Sequence, residues 1–127
     1  MDAEQFIARI VRHVAQPTVE SVLKNIADPP ERVPSDGSLL KARWYARLEN
    51  GDRGLLRATV QESVFAALFD FLCVLDHVAF IESSPARGQF ELYYVKEGQR
   101  VLLNDFGRCC LHDGFKAIWD ETVGGKL

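Results

Sequence analysis

The sequence has no hydrophobic run long enough to cross a bilayer. Its longest apolar stretch, VFAALFDFLCVL at residues 64–75, is broken by Asp70. A membrane-spanning helix needs about 20 residues, so this stretch predicts a buried helix and no membrane partner. Also missing are a Gly-rich phosphate loop, an H-E-x-x-H pair, a G-x-S-x-G turn and an EF-hand loop, which counts against the common enzyme classes. There is no basic cluster either. Fifteen Lys and Arg are scattered against eighteen Asp and Glu, for a net charge of -3. A nucleic-acid partner would call for a patch of cations to neutralise phosphates, so none is expected. Cysteine is scarce and odd in number: three, with no C-x-x-C pair. Cys109 and Cys110 are neighbours, and a disulfide between neighbours is strained. The start, MDAEQFIARI, carries an acid at position 2 and lacks the apolar core of a secretory signal. These features together predict a reduced, cytoplasmic protein.

What is present is apolar content arranged with helical and strand periods. Hydrophobic residues make up 47% of 127. That suits a single domain over residues 1–127 with a core of its own. Phe6, Ile7, Ile10, Val11, Val14, Val19, Val22, Leu23 and Ile26 follow helical spacing. Pro17 interrupts them, because its ring clashes with the carbonyl of His13, and predicts a kink or two abutting helices near Gln16. ADPPERVPSDG at 27–37 is a loop. Ser38 is the expected cap of a second helix with Leu40, Trp44, Tyr45 and Leu48 on one face, stopped by Asn50-Gly51. Asp52 is the expected cap of a third, long helix ending between Asp76 and Ile81; HVAFI could instead form a short strand. QFELYYVKEGQRVLLND reads as a hairpin turning at Glu97-Gly98, with Tyr94 opposite Val101 and Tyr93 opposite Leu102. A lone ribbon is marginal in water, so its Phe90, Leu92, Tyr94 face should lie against the helices. Leu111, Phe115, Ile118 and Trp119 give a last amphipathic helix, followed by a frayed GGKL tail. The expected fold class is α+β: three or four helices in the N-terminal half, an antiparallel β-hairpin near residues 89–104, and a C-terminal helix packed on the core.

Two stretches carry candidate chemistry. RCCLHDG, residues 108–114, sets two thiols, an imidazole and a carboxylate close together. A metal site needs three or four ligands of suitable geometry, and the spacing supplies too few, so no metal and no cofactor is expected. A thiolate would need a neighbouring cation. The simpler reading is a helix start, with Asp113 capping free N–H groups, Leu111 inward and His112 outward. In the long helix, Ser63, Ala66, Asp70, Cys73 and His77 draw a stripe of small or polar residues down an apolar rod. Asp70 and His77 stand about 10.5 Å apart along the axis. The stripe is either the solvent-facing or close-packed side of a nearly buried helix, or the lining of a pocket; Arg43, Arg47 or Arg57 could pair with Asp70 and make it structural.

FLCVLDHVAFIE, ELYYVKEGQRVLLND and LHDGF together resemble a family of small bacterial α+β proteins of unknown function. Its pattern is a long helix ending in LDG, a hairpin ending in LND, then LHD and an aromatic. The resemblance spans Phe65 to Phe115 and implies the same fold and a bacterial source, with no activity attached. Asp76, Asn104, Asp105, His112 and Asp113 are its matching polar positions. His77 replaces the pattern's glycine, and Gly114 replaces a larger residue.

No residue is assigned a catalytic role. The candidate binding residues are Asp70, Cys73, Asp76, His77, Asp105, His112 and Asp113. The expected function is a non-enzymatic protein-binding module of the immunity, antitoxin or regulatory kind. The alternative is a small-molecule binder or unusual enzyme using a pocket beside the third helix. The apolar content would also suit a homodimer.

Overall fold

The computed structural model describes residues 1–123; the expected GGKL tail lies outside the described residues. Helix α1 (Ala3–Ile10) opens on a capping box. Asp2 accepts from the Gln5 N–H at 2.8 Å, and the Gln5 side chain accepts from the Asp2 N–H at 3.2 Å. Each bond satisfies an N–H that the first helical turn leaves free. A π-helical turn (Val11–Ala15) joins α1 to α2 (Gln16–Ala27). The Gln16 N–H donates to Val11 O, five residues back. This wider turn sits immediately before Pro17, at the position where the sequence predicts two abutting helices. It has a second effect. The buried residues Ile7, Val11, Ala15, Val19 and Leu23 recur every four positions. In a uniform α-helix such a row drifts about 40° around the axis at each step. The π turn takes back part of that drift and keeps the row on the core.

Helix α3 (Asp36–Ala46) is capped by Ser35, whose Oγ accepts from the Ser38 N–H at 3.1 Å. Ser38 is thus the capped residue rather than the cap. Helix α3 buries no side chain; Leu40 and Trp44 are exposed. The expected apolar face of this helix is therefore not a core face. Asn50-Gly51 begins the next helix instead of stopping this one, because α4 runs Asn50–Leu75 with Glu49 ahead of it and no side-chain cap. Asp52 lies within its first turn. Arg53 ties the two helices together: its guanidinium donates to Tyr45 O at 3.2 Å and lies 4.5 Å from the Tyr45 ring centre.

Strands β1 (Tyr93–Lys96) and β2 (Gln99–Leu102) pair antiparallel in the expected register, Tyr93 with Leu102 and Tyr94 with Val101. Glu97 and Gly98 have φ of 51° and 78°, the double left-handed turn that matches strand twist. HVAFI forms no strand; it belongs to a chain of turns and bends over 76–92. Of the expected inward face, Leu92 packs against the core and Tyr94 is half-buried, while Phe90 is exposed. Leu103, just past β2, is the buried anchor. Helix α5 (Leu111–Thr122) inserts Leu111, Phe115 and Trp119 into the core, as their spacing predicts. There the Phe65 ring stacks on Phe115 at 5.5 Å and meets Trp119 at 5.6 Å. The fold is α+β, a helical N-terminal half followed by a two-stranded hairpin and a docked C-terminal helix.

Candidate functional site

Polar residues converge where α4, the hairpin and α5 meet. Asp76 follows the last residue of α4 and is 2% exposed. Its Oδ2 accepts two bonds from one residue: the His112 backbone N–H at 2.9 Å and His112 Nδ1 at 2.6 Å. Cys110 occupies the cap position of α5 and makes no side-chain capping bond, while Asp113 sits in the first turn. The carboxylate that caps α5 therefore comes from Asp76, 36 residues away. It satisfies a free N–H and places negative charge at the positive end of the helix. His112 is consequently inward, not outward; its side chain is only 13% exposed. Its ring meets Phe69 edge-on at 5.6 Å. With Nδ1 donating to a carboxylate, Nε2 is left toward Asp113 Oδ1 at 3.4 Å.

Asn104 closes the same joint and is 4% exposed. Its amide donates to Leu75 O at 2.7 Å and Phe90 O at 2.8 Å, while Oδ1 accepts from the Leu92 N–H at 2.8 Å. One side chain thereby pins the end of α4 to the foot of the hairpin. His77 takes φ 59°, a left-handed backbone that glycine adopts most easily. The imidazole holds the position by accepting from the Phe90 N–H at 2.8 Å and stacking on Phe106 at 5.2 Å.

The sequence-predicted residues divide accordingly. Asp76, His112 and Asp113 come together. Asp105 does not join them: it lies in the turn before α5, where Oδ1 accepts from the Gly107 N–H at 3.1 Å and Oδ2 stands 4.0 Å from Arg108. Asp70 is exposed on α4, Cys73 is half-buried, and His77 faces the 78–90 loop. A groove of about 340 Å³ does lie beside α4, but Glu20, Arg57, Gln61 and Trp119 line it rather than the predicted trio. Within it Arg57 grips Glu20 through two bonds, at 2.6 and 3.2 Å, and these hold the Glu20 carboxyl below its ordinary range. In the sequence Asn104 stands out only as a polar position of the LND stretch, because its three partners lie in segments far apart.

Chemically, the joint is an oriented imidazole with a buried carboxylate behind it. Among the described residues, the polar partners of that imidazole are the Asp76 and Asp113 carboxylates. Burial pushes the Cys73, Cys109 and Cys110 thiols up, and the nearby Asp76 charge adds to this in all three. They stay protonated at neutral pH, where the thiolate is the reactive form. Among the described residues, no three His, Cys, Asp or Glu side chains are grouped to hold a metal ion.

The loop that His77 supports presents a different surface. Phe80, Ile81, Phe90 and Phe106 are 58%, 70%, 43% and 55% exposed. Phe80, Ile81 and Phe90 line one shallow depression with Val74 and His77, and Phe106 is stacked on that imidazole. Together these four side chains leave on the order of 400 Å² of apolar surface in water. Arg87 borders the patch, with its guanidinium 4.1 Å from the Phe80 ring centre. No family model, no curated protein and no solved structure matches this chain.

Proposed function

We propose that the chain is a non-catalytic protein-binding module whose docking surface is the aromatic patch of the 78–90 loop. The observation that carries this reading is the exposure of Phe80, Ile81, Phe90 and Phe106 on one patch. A contiguous apolar area of several hundred Å² on a folded chain marks a binding surface more often than a chance exposure. Aromatic side chains with an arginine at the rim are the residue types that dominate binding energy at protein interfaces. The fitting partner offers apolar side chains to the patch and a carboxylate to Arg87. The joint beneath supports this role: Asn104 and His77 fix both ends of the loop that carries the aromatics.

Capture from the organism that encodes the chain, followed by reconstitution from purified components, tests the reading. Wild-type protein should form a defined complex, and Ile81→Glu should weaken it at least about 10-fold, since it places an unpaired charge in the contact. A reconstituted complex indifferent to Ile81→Glu and Phe80→Glu would place docking elsewhere, and failure to reconstitute any complex would remove the reading.

A further inference from the structure

We infer that His77 is a pH-sensitive latch on the loop that carries the aromatic patch: its neutral ring holds the loop, and its protonated ring lets go. The latch itself belongs to the free chain; its effect on docking rests on the reading of that patch as the docking surface.

The first observation is the direction of one hydrogen bond. The Phe90 backbone N–H points at His77 Nε2, 2.8 Å away. A backbone N–H only donates, so Nε2 accepts and carries no proton. That fixes the neutral ring with its proton on Nδ1. A protonated imidazole has an N–H at both nitrogens and no acceptor. Bond and proton therefore exclude each other at the same atom. His112 behaves in the opposite way. Its Nδ1 faces the Asp76 carboxylate at 2.6 Å, so protonation leaves that bond in place. His13 is exposed on the π-helical turn.

The second observation is the backbone beneath the ring. A φ of 59° at His77 is unfavourable for any residue with a Cβ. A strained residue persists where its surroundings hold it. Here they are the Phe90 bond and the Phe106 stack at 5.2 Å. Glycine would make the turn without strain but could supply neither contact.

The third observation is what the bond holds. Phe90 is gripped from two sides: Asn104 donates to its carbonyl at 2.8 Å, and His77 takes its N–H. The Asn104 amide does not titrate. Within the loop, the Arg87 side chain donates to Glu82 O and the Gly88 N–H to the Glu82 carboxylate. These bonds close the loop on itself and do not tie it to α4. His77 is thus the titratable tie between the patch and the helix end. Its release leaves Phe90 on its carbonyl alone and loosens the wall that Phe80, Ile81 and Phe90 form around the imidazole.

The carboxylates around the ring already have partners and do not hold it once it is charged. Glu82 accepts from Gly88, in the depression that Arg87 also lines. Glu91, beside Phe90, accepts from the Tyr93 hydroxyl. Asp105, beside Phe106, stands 4.0 Å from Arg108. Asp76, next to His77, is committed to His112. The Cys73 thiol, one turn back on α4, has its ionisation pushed upward by burial and stays neutral.

Nuclear magnetic resonance of the labelled full chain, titrated from about pH 8 to about pH 5, where histidine changes charge, tests the latch without any partner. At the alkaline end the His77 ring should show the Nδ1–H tautomer. As it takes up its second proton, the Phe90 amide should shift and its protection against hydrogen exchange should fall about 5-fold or more. The Leu92 amide, held by Asn104, should keep its protection. His77→Gly should keep the helical circular dichroism and lose the pH step at Phe90. An Nε2–H tautomer at the alkaline end, or a Phe90 amide indifferent to the protonation of His77, overturns the inference. In a reconstituted complex, acidification from about pH 7.5 to about pH 5.5 should weaken docking about 5-fold for the wild type and not for His77→Gly. Equal responses of the two overturn the latch's role in docking. Absence of any complex removes the docking reading and leaves the resonance result to stand or fall by itself.

Discussion

Within a few turns, α4 passes from a face with unmet apolar surface to an end where polar groups are fully engaged. Asp76 and Asn104 are buried, and their side chains make five hydrogen bonds between them. On α4 itself, Leu55, Thr59, Ser63, Ala67 and Phe71 are apolar or small and face water. The composition of each would suggest the reverse. A buried polar group is tolerated because its partners are in place, and an exposed apolar one persists because folding alone gives it none. The end of the helix holds the fold together; the exposed side chains take no part in that.

The largest expected effect comes from breaking the joint. Asp76→Ala leaves a backbone N–H and a ring nitrogen of His112 without their acceptor, and should lower unfolding free energy by about 3 kcal/mol in a urea titration. Asn104→Leu removes the three bonds that tie Leu75, Phe90 and Leu92 together and should cost about 2 kcal/mol in the same assay. Glu97→Asn, at the hairpin turn, should stabilise by about 0.5 kcal/mol, since asparagine adopts a positive φ more readily than glutamate. Phe71→Ser, on an exposed side chain, should change stability by less than about 0.5 kcal/mol in the same assay. If instead Phe71→Ser costs as much as Asp76→Ala, the two regions are not different in kind. The thiols sharpen the contrast further. With their ionisation pushed upward, Cys73, Cys109 and Cys110 should alkylate more slowly than free cysteine at pH 7, and their rates should still be climbing above pH 8.5, followed by mass spectrometry.

What could be read in the sequence was local. The hairpin register follows from period-two alternation around a turn that tolerates positive φ at Gly98. Helix α5 follows from the spacing of Leu111, Phe115 and Trp119. Capping is also local, yet the candidates compete: Ser35 and Ser38 are three residues apart, and either could cap α3. Asn50-Gly51 reads as a stop because glycine is common after a helix, but here the chain turns earlier, at Arg47, and uses the pair to start again. The joint was out of reach for a different reason. Asp76 and His112 stand 36 positions apart, and no periodicity links an α4 terminus to an α5 cap. Exposure of these α4 side chains was hidden too, since an apolar helix has the same composition whether or not its own chain covers it.

The π turn at Val11–Ala15 bears on how this chain tolerates changes in length. Each residue advances an α-helix by about 100°, close to what the wider turn takes back over its length. Deleting one residue there, such as the exposed Arg12, should leave a regular helix with Val19 and Leu23 still on the core, whereas inserting one should rotate both off it. A gain that the 28–35 loop absorbs without consequence would here turn an entire helix to face the wrong way.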